Sequence, residues 1–433
     1  MSWAYRFKLK EFRKNSLWLV PVAGVAVCIL AQRLVSRLDG HWNAPEHLTF
    51  TPSTAGLMFS AIIAASMSLT GFMLTILVLL VQMAGSSYSP RTLLFVFRNQ
   101  QLKFSLALFV GTTAFAFLSM GEISDSEANN LSVLICALLS LFSVMFFLQS
   151  LSQLMHGIRP ANMADRIATV GHVVIAEVYP NPAPVEPNRT YRDVLPGMPP
   201  DRVIHHGGPG KVLQGIDIDG LVRLATMHEA LIVLPVAAGD FLGYRGRAIE
   251  IYGGSELPSD GELLGHLALG SERTPEQDPA FPLRVVVDIS LKALSPAIND
   301  PTTGETLLDR VEDLLIDLVQ RDLHTGVFRD DRNIPRLVFP TPTWEDYLRL
   351  GVTEIRLYGG QNPQICRRMA ALLINLLEVA PPYRHDLILE EQARLRRNLE
   401  QNFSDPLDRA VAGVPDTQGF GATDLPAYPT HIA

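Results

Sequence analysis

Four long runs without a charged side chain crowd the first 158 residues, and they limit the fold more than any other feature of the sequence. Asn15 to Gln32 holds an apolar segment from Leu17 to Ala31, and His47 to Pro90 holds a longer one from about Leu57 to Met83. Phe104 to Gly121 and Ala128 to Ile158 supply the third and fourth. A hydrocarbon core of about 30 Å takes about 20 helical residues at about 1.5 Å each, so each run predicts a membrane span. The first run reads as a retained anchor and not as a cleaved signal peptide, because three spans follow and no small-x-small cleavage site succeeds it. The expected fold is a membrane α-helical bundle of four spans plus a cytoplasmic α+β domain, with a small β unit followed by a helical bundle.

Charge divides the chain at the same place. The first 154 residues carry 10 Lys/Arg and 6 Asp/Glu, while the rest carry 26 and 38, within an overall net charge of −8. Neither an all-soluble enzyme nor a protein made mostly of membrane helices fits this split. An acidic soluble portion repels phosphate, so nucleic acid is excluded as a partner. The loops that would share one side hold Arg6, Lys8, Lys10, Arg13, Lys14, Arg91, Arg98, Lys103, Arg159 and Arg166, and those on the other side hold only Arg33 and Arg37. The positive-inside bias therefore places both termini in the cytoplasm. Cys28 and Cys136 fall in spans and Cys366 in a cytoplasmic helix, so no disulfide framework is expected.

The second span carries small and hydroxylated side chains at a helical period: Ser60, Ala64, Ser68, Gly71, Thr75, Val78 and Gln82. Such a stripe serves either as a packing seam, inside the bundle or between subunits, or as the lining of a wet pathway in an oligomer. The spans as drawn contain no ionisable side chain, which argues against proton-coupled transport and leaves a passive pore open. Arg91, Arg98 and Lys103 follow the stripe. They read either as an inner mouth that favours anions or as ordinary headgroup contacts.

Beyond the four-span domain at 1–158, the expected divisions are a linker helix with a proline-rich loop at 159–209, a small β-rich subdomain at 210–255, a helical subdomain at 256–404 and a disordered tail at 405–433. Eight prolines between Pro180 and Pro209 carry the linker reading. Lys211–Ile218, Leu231–Pro235 and Arg247–Tyr252 read as strands, and Asp219–Ala230 as a helix. Thr274-Pro-Glu-Gln277, Asp300-Pro301, Thr343-Trp-Glu-Asp346 and Asn362-Pro363 read as helix starts. The helices expected are Leu283–Leu294, Pro301–Leu323, Trp344–Leu357, Pro363–Val379 and His385–Phe403.

The densest polar constellation is Arg273, Glu276, Asp278, Arg284, Asp288, Lys292, Ser295, Asn299 and Asp300. It could hold a small ion or grip an anionic ligand, and it could equally be helix caps and i, i+4 ion pairs. His205-His206 falls in the proline-rich loop, and His156 and Arg159 fall at the headgroups. No zinc-binding spacing, nucleotide-binding glycine loop or nucleophile elbow occurs, so no metal, cofactor or catalytic residue is expected.

Ser89-Pro90-Arg91, Ala238-Gly239-Asp240-Phe241, Arg273-Thr-Pro-Glu-Gln-Asp-Pro279 and Asp288-Ile-Ser-Leu-Lys-Ala-Leu-Ser-Pro-Ala-Ile-Asn-Asp-Pro301 together resemble a bacterial family of predicted membrane proteins catalogued as a domain of unknown function. The likeness runs over roughly residues 1 to 400. It implies a complete bacterial envelope protein in the inner membrane of a Gram-negative cell, and it brings no activity with it. The functional expectation is a homo-oligomeric channel or passive pathway in the lipid bilayer, gated by the cytoplasmic domain. A membrane-anchored ligand sensor or protein-interaction scaffold is the alternative, and a membrane enzyme the weakest reading.

Overall fold

The computed structural model describes residues 2–39, 42, 45, 48–87, 90–124, 129–157, 159–186, 191–254, 258–417 and 421. Ser89, Asp125, Glu127 and most of the chain past 417 lie outside them. The chain is mostly helical with two small sheets, and it divides into one unit of Glu11–Asn162 and another of Met1–Lys10 with Met163–Ala433. That division falls inside the first helix, α1 (Trp3–Asn15).

In the first unit, α2 (Leu19–Asp39), α3 (Pro52–Ser87), α5 (Gln100–Met120) and α6 (Asn130–Gly157) are long and apolar enough to cross a membrane. The short α4 (Leu93–Phe97) follows a 3-10 turn at Pro90–Thr92. α5 is the centre of the bundle: most of its apolar stretch is buried and it touches α2, α3 and α6, while the other three bury little of theirs. Phe109, Phe115, Leu102 and Leu106 of α5 fill the middle with Phe59 and Met73 of α3.

The close-packed seam of small residues lies between α2 and α5. A Cβ added at Gly24 would come within 2.9 Å of Ala107, and one at Gly111 within 2.7 Å of Cys28 Sγ. Small side chains at these four positions let two backbones approach, as helices in lipid require. Hydroxyls then join α5 to α6 across the core, Ser105 to Ser150 at 2.6 Å and Thr112 to Ser143 at 3.3 Å.

The third span begins four residues before the expected Phe104, because Asn99 caps α5 by accepting from the Gln101 and Leu102 amides. Lys103 therefore lies inside an apolar helix, which corrects the expectation of spans without ionisable groups. Likewise α2 runs on past Ala31 to carry Arg33, Arg37 and Asp39.

α7 (Pro160–Val178) follows α6 and carries the chain from the first unit into the second. The proline-rich stretch after it is tied down and not a free loop: Ala183 N–H donates to Gln320 O, and Asp322 N–H to Asn181 O. It also contains strand β1 (Arg202–His205), so His205 is in a strand and His206 is buried with Nε2 2.8 Å from Pro209 O. There follow β2 (Lys211–Ile216), α8 (Ile218–Met227, capped by Asp217), β3 (Ala230–Val233), β4 (Phe241–Leu242), β5 (Arg247–Gly253), α9 (Asp260–Leu264) and β6 (Leu267–Gly270). Next come α10 (Ala280–Ala293), α11 (Pro301–Val319), β7 (Val327–Arg329), β8 (Pro335–Val338), α12 (Trp344–Gly359), α13 (Pro363–Val379), α14 (His385–Asn402) and α15 (Pro406–Gly413).

One sheet has the order β1-β5-β3-β8-β7 with only β3 and β8 parallel, and the other is β4-β2-β6. They share a core of Ile204, Leu213, Ile216, Ile232, Ile249, Ile251 and Leu337 under α8 and α9. β6, β7 and β8 lie beyond residue 256, where a helical subdomain was expected; β6 pairs with β2 and β8 with β3 from 50 or more positions away, so no local pattern announces those pairings, while β7 joins β8 in a local hairpin. The helix starts at Asp300, Thr343 and Asn362 are capped as the sequence suggests. Thr274-Pro-Glu-Gln277 starts no helix, because the Gln277 amide bonds the Ile216 N–H and C=O instead. Within the expected tail, α15 packs on α13 and α14.

The seam gives a paired prediction. Gly111→Leu must push α2 away from α5 and should destabilise the bundle by about 1–3 kcal/mol. Gly71→Leu, with nothing within 4 Å of its Cβ position, should change stability by less than about 0.5 kcal/mol. Denaturation of the two variants in the same detergent checks both.

Candidate functional site

α7 ends where the two sheets and the helical part of the second unit converge, and a cavity of about 550 Å³ opens there. Its wall takes Glu177, Val178 and Tyr179 from the end of α7, Ile216 and Ile218 around the β2–α8 corner, and Ala237 and Ala238 from the β3–β4 loop. Glu276 to Pro279 come from the β6–α10 loop; Asp322, His324 and Thr325 follow α11; Val327, Phe328 and Phe339 to Pro342 come from the β7–β8 hairpin and its exit. Four carboxylates line it and, among the described residues, no Lys or Arg does.

Two of the motif strings noted in the sequence meet at its edge. Arg273 donates to both oxygens of the buried Asp278, at 2.8 and 3.0 Å. Gly239, with φ of 94°, lies so close that any Cβ would collide with that ion pair. The Ala237–Asp240 turn presents it: Asp240 Oδ2 accepts from Ala237 N–H at 2.8 Å, and Gly239 N–H donates to Leu213 O. Burial pushes the Asp278 carboxyl up to about 6 against the opposing pull of Arg273. Behind it the phenols of Tyr179 and Tyr347 hydrogen-bond at 2.9 Å, and burial holds both above their ordinary range.

α7 is held to α11 by polar contacts along its length. Asp165 faces Arg310 at 3.6 Å, His172 lies between Asp317 (2.8 Å) and Asp313 (3.3 Å), and Arg321 donates to Tyr179 O. A Cβ at Gly171 would strike Leu314. The hydrogen bond to Asp317 raises the His172 pKa above its ordinary value, and burial only partly opposes it. Burial favours neutral Asp317, but His172 and Arg321 outweigh it and hold that carboxyl low. Sequence reasoning missed this contact because its partners are 141 and 145 positions apart.

The remaining candidates separate. Arg284 pairs with Asp288 and with Glu354 of α12, each at 2.7 Å, which joins α10 to α12. Lys292 O accepts from Ser295 Oγ; Asn299 takes a left-handed turn with φ of 49°, and Asp300 caps α11 through the Thr303 amide. Of the expected constellation Glu276 and Asp278 line the cavity, and Arg273 reaches its edge only through Asp278. Among the described residues no group of three or more His, Cys, Asp or Glu is placed to hold a metal.

In the first unit, Ser60, Ala64, Ser68, Gly71, Thr75 and Gln82 are all exposed, so the stripe is not a seam inside the bundle. Ser60, Ser68 and Thr75 return their hydroxyls to the carbonyls four residues back, at 2.8 to 3.0 Å. Arg91 is exposed, whereas Arg98 pairs with buried Glu11 at 2.8 Å and with Asn15 at 2.9 Å. Lys103 is buried, its ammonium donating to Lys14 O. The three cations thus form no common cluster open to solvent. The side chain of His156 lies outside what is described.

Four apolar helices and a well-packed second unit define a membrane protein. The chain belongs to the family described as "Predicted membrane protein (DUF2254)", whose model matches residues 14–375. It is similar to uncharacterised proteins of Mycobacterium bovis and Mycobacterium tuberculosis, each 29% identical over 427 residues, covering 94% of this chain and 80% of the relative. No solved structure matches.

The His172 contact predicts a pH dependence. A raised histidine pKa in the fold gives stability that is full below about pH 6.5 and is lost as pH rises through the folded value. His172→Gln should therefore lower the melting temperature by several degrees near pH 6 and by much less near pH 9, measured on the full chain in detergent.

Proposed function

We propose that this protein is a membrane-embedded sensor of a small cationic molecule. The observation that carries the reading is the cavity, whose wall sets Glu177, Glu276, Asp278 and Asp322 against Val178, Ile216, Phe328 and Phe339; among the described residues no Lys or Arg lines it, and Arg273 touches it only through Asp278. Such a wall suits an amine or quaternary ammonium group on an apolar body, because carboxylates in a partly dry site favour a charge that replaces lost water. The same wall disfavours the anionic ligand considered from the sequence. α7 supplies the link: it starts three residues after α6 ends, and its last turn supplies Glu177 and Val178 to the cavity. A shift at that turn travels along a helix of 19 residues, about 28 Å. The distribution of Lys and Arg supports a bacterial inner-membrane location with both termini, and hence the cavity, in the cytoplasm.

Amine binding should raise the melting temperature of the full chain in detergent, since a ligand that binds only the folded state stabilises it. Putrescine, spermidine and choline are suitable probes near pH 7.5. The shift should shrink below about pH 6 as Asp278 takes up a proton, and Ala238→Phe, which fills the cavity, should abolish it. No shift with any of the three, or one that survives Ala238→Phe, overturns the reading.

A second reading, a channel built from several copies, is favoured by the exposed hydroxyl stripe of α3. The centre of a single bundle is filled by α5, so a pathway would have to run between chains. Ion flux in reconstituted vesicles that falls at least about tenfold in Ser68→Leu with Thr75→Leu would support it; flux unchanged by that pair would remove the stripe from any pore.

A further inference from the structure

The first helix offers an interaction surface that neither the cavity nor the α3 stripe uses. One side of α1 is occupied. Ala4 N–H donates to Gly265 O, Trp3 and Phe7 stack at 5.2 Å between centroids beside Gly215, and Glu11 is buried against Arg98. The other side presents Tyr5, Leu9 and Phe12, exposed by 51%, 46% and 50%. At about 100° per residue these three fall within about 60° of one another, a single apolar stripe. Exposed Lys8 flanks it on one edge, and exposed Arg6, Arg13 and Lys10 on the other. Phe12 continues the stripe to Trp18, packed edge-on at 6.1 Å and itself 56% exposed, immediately before the first apolar helix begins at Leu19.

We propose that α1 lies in the headgroup layer of an anionic bilayer. Tyr5, Leu9, Phe12 and Trp18 enter the acyl boundary, and Arg6, Lys8, Lys10 and Arg13 bind lipid phosphates. An aromatic and aliphatic face bordered by basic side chains is the pattern of an interfacial helix, and each Lys or Arg held near an anionic surface adds about 1 kcal/mol. The occupant follows from position and charge. The stripe runs into a membrane span through Trp18, a residue suited to the interface, and the only carboxylate on α1 is Glu11, on its occupied side. This inference stands whether or not the cavity binds an amine.

The test uses the full chain in vesicles of phosphatidylcholine with about 30% phosphatidylglycerol, an anionic content chosen to give a substantial surface potential. A bimane probe is placed on Leu9→Cys, with Asp331→Cys, exposed in the β7–β8 turn, as the reference. Wild type, whose own cysteines are buried or half-buried, gives the background. With nitroxide-labelled lipids the Leu9 probe should be quenched about threefold more than the Asp331 probe. That excess should fall about twofold when salt rises from about 0.05 to about 0.5 M, or when phosphatidylglycerol is omitted. Equal quenching at the two positions overturns the proposal, and so does an excess indifferent to salt and lipid charge. A Leu9 probe that is shifted to the blue yet unquenched also overturns it, because the stripe is then covered by protein.

Discussion

A hydroxyl, amide or charge carried into hydrocarbon has no water to bond, and it must be satisfied by the chain itself. The first unit meets much of this demand, though buried hydroxyls such as those of Ser66, Ser119 and Ser132 have no hydrogen-bond partner among the described residues. Ser60, Ser68, Thr70 and Thr75 of α3 turn back to their own helix, Ser105 and Thr112 bond across to α6, and Asn99 and Asp39 cap helix starts, the latter accepting from Leu131 N–H at 2.7 Å. Lys103 sits buried in the first turn of α5, where its ammonium finds a carbonyl of α1. With α5 so committed on all sides, the bundle is a packed solid, and small side chains at Gly24 and Gly111 set how closely α2 can approach it.

The second unit solves a different problem, which is to hold one helix firmly while leaving space at its end. α7 and α11 run alongside one another, with Asp165 opposite Arg310, His172 between Asp313 and Asp317, and Tyr179 O receiving Arg321. Arg384 closes the end of α11 by donating to Leu318, Val319 and Arg321 carbonyls. These ties order α7 along its length and continue past its end through Tyr179, Asn181 and Ala183, and the cavity opens beside that junction. In the proposed sensor, that is the place where a ligand could bias the helix without breaking its core.

Much of this architecture could be read from the sequence because it is written in local patterns. Uncharged runs placed the four apolar helices, and Asp300, Thr343 and Asn362 placed three helix starts. What could not be read depends on distant partners. β8 joins β3 in parallel from more than 100 residues away, and Gln277 abandons a local cap to bond Ile216. The same limit applies to function. The motif strings around Gly239 and Arg273 were visible as strings, but only the fold shows that the glycine is needed because its backbone lies against the Arg273–Asp278 pair. The α3 stripe was legible as a stripe, yet periodicity alone does not tell an inward face from an outward one; bulky Phe59, Ile62 and Met73 took the inward side.

The Asp278 carboxylate also bears on why the cavity is acidic. Its pKa of about 6 in the fold, against an ordinary value of 3.8, means the folded chain holds the proton more tightly than the unfolded one. Stability is therefore lost as pH rises from about 4 to about 6, by roughly 3 kcal/mol at neutral pH. Arg273 alone does not offset that loss, since burial still outweighs its pull. A buried ion pair is weak evidence for stability in general, and replacing one with apolar side chains is often neutral or favourable. Folding by itself thus gives little reason for a charged group at this point. In the proposed sensor a bound cation would supply one: by stabilising ionised Asp278 it would recover part of the cost, and the recovery would appear only when the site is filled.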